Sequence, residues 1–335
     1  MTTILFSRIP DQGLRPLDLR RDLSGVAALM NICFGSGLDA QGRGAVREME
    51  WLAHSGPFLW LVGSMPNAWQ MGFVWIEDGK VIGNINTQAS EGDAATWLIA
   101  NVAVHPDYRR RGIARALTEA AMDLAHKKGA RQINLQVNHE NESARRIYES
   151  LGFKTIAAHT LWERASGTIP QPINIEGIEL RHAPHDKWQI SYEFARRFRP
   201  EGLSWVRPLQ ERDWQTPWWR WLSNFLSGQR EETWWAIETV SNTVMGLFTV
   251  SAGFHSFEEI SLILYPEWRS RLERMMLIAA IRRLRDRAWT IRLDHPMGEA
   301  EEPLRELGFR EGARLVWMVK KGNEEDGGDK GKERK

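Results

Sequence analysis

The chain has 335 residues, enough for two ordinary domains. Its 44 Lys and Arg stand against 43 Asp and Glu, a formal net charge of +1, so no overall basic field points to nucleic acid. One cysteine, Cys33, excludes an intramolecular disulfide and fits a reducing compartment. No apolar run reaches the length of a membrane span, and the opening MTTILFSRIP holds too short an apolar stretch for a secretory leader. A cytoplasmic protein without nucleic-acid or membrane partners, monomeric or homodimeric, is the expectation.

Residues 14–19 read as a short first strand, and Arg21-Asp22-Leu23 leads into a helical pattern of Val26, Ala27, Leu29, Met30 and Phe34. The glycine-rich stretch 35–44 breaks it, either bordering a substrate channel or simply turning the chain, and 45–53 reads as a second short helix. After an apolar stretch at 58–62 and an irregular excursion at 63–67, strands at 70–77 and 80–88 flank Asp78-Gly79, a two-residue hairpin signal. A turn at 90–93 leads to a strand at 96–104. It is apolar and β-branched, and it stops at His105-Pro106, where a ladder donor is missing.

Behind the proline, Arg109, Arg110 and Arg111 run into Gly112, and Ile113, Ala114, Leu117, Ala120, Ala121 and Leu124 recur at helical spacing. A helix that starts near Gly112 turns its unpaired N–H groups toward the arginines. Backbone donors, the helix field and positive side chains then converge on one place, which suits a phosphate or pyrophosphate, and glycine allows it to come close. Gly129 closes this helix, and Ile133, Leu135 and Val137 mark a strand at 131–138. Asn141 stands at a helix N-cap ahead of Ala144, Ile147, Tyr148 and Leu151; Gly152-Phe153 ends that helix, and 153–162 is a further strand. A helix joining parallel strands near Val104 and Val137, after an antiparallel meander, makes this an α/β sheet.

Arg109-x-x-Gly112-x-Ala114, following Val104-x-Pro106, resembles the coenzyme A pyrophosphate loop of the GNAT superfamily of acyl-CoA N-acyltransferases. Asn141-x-x-Ala144-x-x-x-Tyr148-x-x-x-Gly152-Phe153 resembles the second motif of that family, in order and at the expected distance. The resemblance implies acetyl-CoA, or another acyl-CoA, as co-substrate, with no metal. It implies that the backbone of Val102, Ala103 and Val104 runs beside the pantetheine arm. It places Arg109, Arg110, Arg111, Gly112, Ile113 and Ala114 at the pyrophosphate and makes Asn141 a further coenzyme contact. Tyr148 would serve as general acid toward the departing thiolate, since a phenol with a pKa of about 10 is protonated at neutral pH. Read without the resemblance, Asn141 is also a plain N-cap and Tyr148 also an aromatic packed on the sheet.

An attacking amine must shed a proton. Glu77, Glu91 and Asp93 border the meander strands and are candidate bases, each also a natural turn residue. Cys33 precedes the sheet with no activating partner in sequence, which favours direct attack over a ping-pong route. The histidines, His105 among them, show no compact metal-ligand spacing with the acidic residues.

Beyond a Ser-, Gly- and Pro-containing linker at 165–173, the first half recurs in weaker form. Thr243-Val244-Met245-Gly246-Leu247 echoes Lys80-Val81-Ile82-Gly83-Asn84, and 261–266 echoes the strand ending at Pro106. A helix at 271–285 and a strand at 290–293 follow, and Leu307-Gly308-Phe309 repeats Leu151-Gly152-Phe153. Leu272 and Arg274 occupy the positions of Gly112 and Ala114, and Met297 and Leu304 those of Asn141 and Tyr148. The resemblance therefore implies two tandem GNAT-like α/β domains, each a mixed central sheet flanked by helices. An active copy spans 1–165, a linker 166–177, a degenerate copy 178–321 and a disordered tail 322–335. The 17 tryptophans concentrate at 188–235, filling a core or lining an aromatic groove for a bulky apolar or cationic ligand. The expected reaction moves an acetyl group from acetyl-CoA to a primary amine, of a small molecule or a peptide, by direct attack. The alternatives are a tandem transferase resembling mycothiol synthase, acting on a thiol-sugar amine, and a nonenzymatic acyl-CoA-binding sensor.

Overall fold

The structure, a computed structural model, describes residues 12–34, 72–90, 93–200, 209–215, 230–252, 257–284 and 290–322. The expectations for 35–67, the candidate base Glu91, the tryptophans Trp218, Trp219 and Trp221, and the tail from 323 lie outside the described residues. The chain packs as two compact units.

The first unit takes its residues from Met1–Gln136, Ser143–Lys154 and Met318–Lys335. Strands β1 (Gly13–Pro16), β2 (Gly72–Glu77), β3 (Lys80–Ser90), β4 (Asp93–Val104) and β5 (Gln132–Asn138) lie in that order. Neighbours from β1 to β4 are antiparallel, and β4 and β5 run parallel. Asp78 and Gly79 turn the β2–β3 hairpin with φ of 49° and 73°, the left-handed pair that matches strand twist. Helix α1 (Leu19–Phe34) buries Leu23, Val26, Ala27 and Met30 against Val74, Ile76 and Ala103. Its first turn is tied to β1 by two 2.6 Å hydrogen bonds from the Arg15 guanidinium to the Asp22 carboxylate. Helix α2 (Ile113–Lys127) crosses from β4 to β5. A Cβ on Gly83 would lie 3.0–3.1 Å from Leu117, Ile113 and Trp75, so the glycine is what lets the start of α2 lie close on the sheet. Helix α3 (Glu142–Ser150) follows β5.

The second unit comprises Val137–Glu142 and Thr155–Trp317. Its elements are β6 (Lys154–Arg164), β7 (Ile178–His182), α4 (Trp188–Phe198), β8 (Arg230–Glu238), β9 (Thr243–Ala252), β10 (Phe257–Leu264), α5 (Glu273–Arg283), β11 (Thr290–Pro296), α6 (Glu301–Glu306) and β12 (Arg310–Lys321). The antiparallel meander β7–β8–β9–β10, then α5, then β11 parallel to β10, repeats the element order of the first unit. Gly246 repeats the role of Gly83, because a Cβ there would lie 2.9 Å from Met276 of α5. Buried Trp235 donates to Ser191 Oγ at 2.8 Å and is a core residue, and half-buried Trp234 stacks on Phe248 at the core's edge.

The chain passes between the units in a way that a cut at 165 does not describe. β6 pairs antiparallel with β11, from Arg164↔Ile291 to His159↔Pro296, and so packs in the second unit. Conversely, residues 318–322 pack in the first, where Gly322 N–H donates to Arg131 O at 2.6 Å and Lys320 Nζ to Leu151 O at 2.7 Å. Among the described residues no helix is long and apolar enough to cross a membrane.

Candidate active site

The β3–β4 ladder is irregular close to the turn that follows β4. The register of β4 with β3 steps from Asn84↔Ala103 to Asn86↔Ala100, so β4 carries one extra residue across that step. The excess is taken up beside Asn101, whose φ is +55°, and such a bulge bends its strand. Pairing with β5 runs from Thr96↔Gln132 to Ile99↔Leu135 and ends there. Beyond Ile99 the ladder of β4 continues with β3 alone. Val102 and Val104 are half-buried on this stretch, and Ala103 is buried against α1. The Val104 carbonyl is engaged within the protein, accepting from Arg109 Nε at 3.2 Å and Cys33 Sγ at 3.4 Å.

The chain then enters a single 3-10 turn at Pro106–Tyr108, anchored by His105 N–H to Ile82 O at 2.9 Å. Arg109 is extended, Arg110 is left-handed at φ +63°, and Gly112 is left-handed at φ +78°. Gly112 is the N-cap of α2 and has no side chain to cap it, and the first turn holds no acidic residue. The N–H groups that open a helix have no partner within it, so these are left facing outward. A Cβ on Gly112 would meet nothing within 4 Å. Glycine is thus demanded by the backbone angle, and the space above it stays open. With Arg109, Arg110 and Arg111 exposed around that space, the donor set fits a pyrophosphate. Coenzyme A would be held here by the backbone N–H groups of residues 110–114, with the arginines assisting.

Arg115 of α2 donates to Ser150 Oγ at 2.6 Å, tethering the end of α3 to this region. On α3, Tyr148 is buried and meets Phe153 edge-on at 6.0 Å. Burial pushes its phenol up to about 12, so the group is a proton donor throughout the neutral range. Asn141 is exposed and immediately precedes α3. Glu77 lies at the other side of the turn, 3.2 Å from Arg111, which itself covers the Tyr108 ring. Asp93 is at the start of β4, where hydrogen bonding from the Thr96 side chain, joined by the N–H groups of Ala95 and Thr96, holds its carboxyl below the usual range. Among the described residues, no hydrogen bond or ion pair joins either carboxylate to Tyr148. Burial pushes the Cys33 thiol up, against the pull of Arg109, which keeps it protonated although it reaches the end of β4. Among the described residues no His, Cys, Asp or Glu cluster could hold a metal ion.

The second unit contains a related turn after β10. Pro266–Trp268 is again a 3-10 turn, Arg269 is extended and Ser270 is left-handed at φ +65°. At the next step Leu272 is right-handed, with φ −98°, and fully buried. Glu273, at the position of Ile113, accepts the Ser270 N–H at 2.5 Å and is 2 % exposed. Burial pushes its carboxyl up.

Residues 44–153 match the Acetyltransferase (GNAT) family. Over 67 residues the chain is 42 % identical to the mycothiol acetyltransferase of Beutenbergia cavernae, covering 20 % of this chain and 23 % of that one. Over 83 residues it is 37 % identical to the ribosomal protein bS18-alanine N-acetyltransferase of Escherichia coli, covering 25 % of this chain and 54 % of that one. The chain thus spans less than two thirds of the length of either relative. Likeness among solved structures runs the whole length. A GCN5-related N-acetyltransferase from Sphaerobacter thermophilus matches with a TM-score of 0.62 at 17 % identity, over 93 % of this chain and 96 % of that one. The fold is that of the GNAT acetyltransferases. A tandem GNAT protein from the clavulanic acid biosynthesis pathway also matches, with a TM-score of 0.55 at 17 % identity, over 92 % of this chain and 98 % of that one. The GNAT family match takes in both sequence motifs and stops at Phe153, so the turn at Arg269 lies outside it.

The sequence reading did not single out Asn84, Asn86 or the bulge at Asn101. Two asparagines at alternate positions, either side of Ile85 and close behind Val81 and Ile82, were the available signal, since alternate positions share one face of a strand.

Proposed function

We propose that this chain is a tandem GNAT transferase, resembling mycothiol synthase in architecture, that moves an acetyl group from acetyl-CoA to the primary amine of a small thiol-bearing sugar-like acceptor. The observation that carries the reading is the uncapped start of α2, where left-handed Arg110 and Gly112 border open space at the end of the bulged β4. Likeness to a mycothiol acetyltransferase over the motif region, and to a tandem GNAT protein over the whole chain, supports it.

Acetyl-CoA supplies an acyl group on a good leaving sulfur. The amine nitrogen forms a bond to the acyl carbon, the carbon–sulfur bond breaks, and Tyr148 gives its proton to the sulfur. The turn at Arg109 and the edge of β4 fix the thioester so that the amine meets it in one orientation. Glu77 is paired with Arg111 at 3.2 Å, and the proton of the amine passes to a carboxylate such as Glu77 or to water.

The test is incubation of the full chain with acetyl-CoA and a panel comprising a thiol-bearing amino sugar, a plain amino sugar, a polyamine and a peptide with N-terminal alanine. Products are read by mass, because a thiol acceptor would swamp a thiol-release assay. A preferred gain of one acetyl group on the thiol-bearing amino sugar is expected. Preference for the peptide would replace this acceptor, and no acetylation across the panel would favour a nonenzymatic acyl-CoA-binding role.

A further inference from the structure

The first sheet holds a buried polar cluster that packing alone does not call for. Asn84 and Asn86 of β3 are 0 % and 1 % exposed. Asn84 Nδ2 donates to the backbone carbonyl of Asn101 at 3.0 Å and to Asn86 Oδ1 at 3.0 Å, and Asn101 Nδ2 reaches the same Asn86 oxygen at 3.3 Å. Asn84 Oδ1 and Asn86 Nδ2 are enclosed without a hydrogen-bond partner. A partly satisfied polar network inside a sheet is worse for stability than apolar residues of the same size, so the cluster has to be explained by what it holds.

It holds the irregular step of β4 that lies nearest the turn at Arg109, the other register shift falling at the far end, between Ala89↔Trp97 and Ser90↔Asp93. Asn101 is the left-handed residue of the bulge, and the bulge lies where pairing with β5 has just ended at Ile99↔Leu135. A non-glycine residue in that conformation relaxes unless its surroundings fix it. Asn84 fixes the carbonyl of Asn101 and Asn86 fixes its side chain, so backbone and side chain are both held from β3. Because a trans peptide directs C=O and N–H oppositely, the same contact turns the Val102 N–H away from Asn84. We propose that Asn84 and Asn86 are positioning residues that lock the Asn101 bulge and so keep the β4 edge open for the thioester arm of acetyl-CoA. This rests on the acetyl-transfer reading above and adds to it a device on β3 that touches no substrate.

The test compares the full chain with Asn84→Leu, Asn86→Leu and the double variant Asn84→Leu/Asn101→Gly. Steady-state kinetics in acetyl-CoA are read beside thermal unfolding, using whichever acceptor the wild type acetylates. The lock predicts an unfolding temperature that does not fall and a kcat/KM for acetyl-CoA at least about tenfold lower in each leucine variant. It also predicts partial recovery in the double variant, since glycine adopts the left-handed conformation unaided. Unchanged kcat and KM in a folded leucine variant would overturn the lock. So would a loss that tracks a lowered unfolding temperature and is not recovered by Asn101→Gly, because the cluster would then be merely structural. If the wild type acetylates nothing, the transfer reading fails separately, and acetyl-CoA affinity by calorimetry replaces the kinetics. Equal affinity across the variants then overturns the lock.

Discussion

The turns after β4 and β10 follow the same backbone through their first left-handed residue and then part. In the first unit Arg110 is followed by left-handed Gly112, open space and an uncapped helix. In the second, Ser270 is followed by right-handed, buried Leu272, and the Ser270 N–H is taken by the Glu273 carboxyl. An uncapped helix start bordered by open space in one unit corresponds to a turn in the other that carries its own acidic acceptor. The difference teaches that losing the glycine is half of the change. In the second unit the donor at the turn is also satisfied from within, by the buried carboxyl of Glu273.

The comparison is broken most severely at α3, because the position of Tyr148 is taken in the second unit by Leu304, which is fully buried. Tyr148→Phe is expected to retain packing on Phe153 and most acetyl-CoA affinity while turnover falls by roughly a hundredfold to ten-thousandfold. Single-turnover rates at several pH values check this, and an unchanged chemical step removes the acid role. Next, Gly112→Leu imposes the second unit's residue on the first. A φ of +78° is strained for leucine, and its side chain enters the open space, so coenzyme A affinity should fall on the order of a hundredfold, the loss of one or two charge-assisted hydrogen bonds. Titration calorimetry reads this directly, and the wild type should bind one coenzyme per chain.

His295 sharpens the contrast in another way. It is buried, whereas its counterpart His139, also thirteen residues before a Gly-Phe pair, is half-exposed. Burial, then the proximity of His159 and Arg269, lowers the His295 imidazole from its usual 6.5 to about 4. The unfolded chain gains this proton as pH falls through 6.5 and the folded chain only near 4. The stability it contributes is therefore complete above 6.5 and lost toward 4, about 3 kcal/mol in all. Urea unfolding across that window should show the slope in wild type and a flatter one in His295→Leu. The smallest effect is expected for Glu273→Ala, which removes the acceptor of the Ser270 N–H and should cost about 1 kcal/mol in urea unfolding without adding a second coenzyme site, since Leu272 remains.

Much of this was legible in the chain. The Asp78-Gly79 hairpin, β4, α2, β5 and α3 announce themselves through turn chemistry and apolar periodicity, and the structure shifts their ends by only a few residues. The echo of Gly83 in Gly246 also survives as a shared close approach of helix to sheet. What could not be read depends on partners distant in sequence. β12 has an ordinary strand pattern, and nothing in it says that its last residues pack in a different unit from its first. The bulge is a slip in register, visible only once β3 and β4 are paired. Glu273 reads as an ordinary acidic residue in a first helical turn, and its bond to Ser270 N–H needs the fold of that turn.

The assignment of residues 318–322 to the first unit has a consequence for synthesis. Lys320 Nζ holds the Leu151 carbonyl just past the end of the helix that bears Tyr148, and Gly322 closes on Arg131. A nascent chain usually completes its N-terminal domain while the rest is still being made. Here the ribosome must deliver residues 318–322 before the first unit receives its last strand residues, and β6 waits likewise for β11. Premature termination anywhere before residue 318 therefore leaves the Tyr148 helix without that brace, so synthesis through Gly322 is a precondition for a finished first unit.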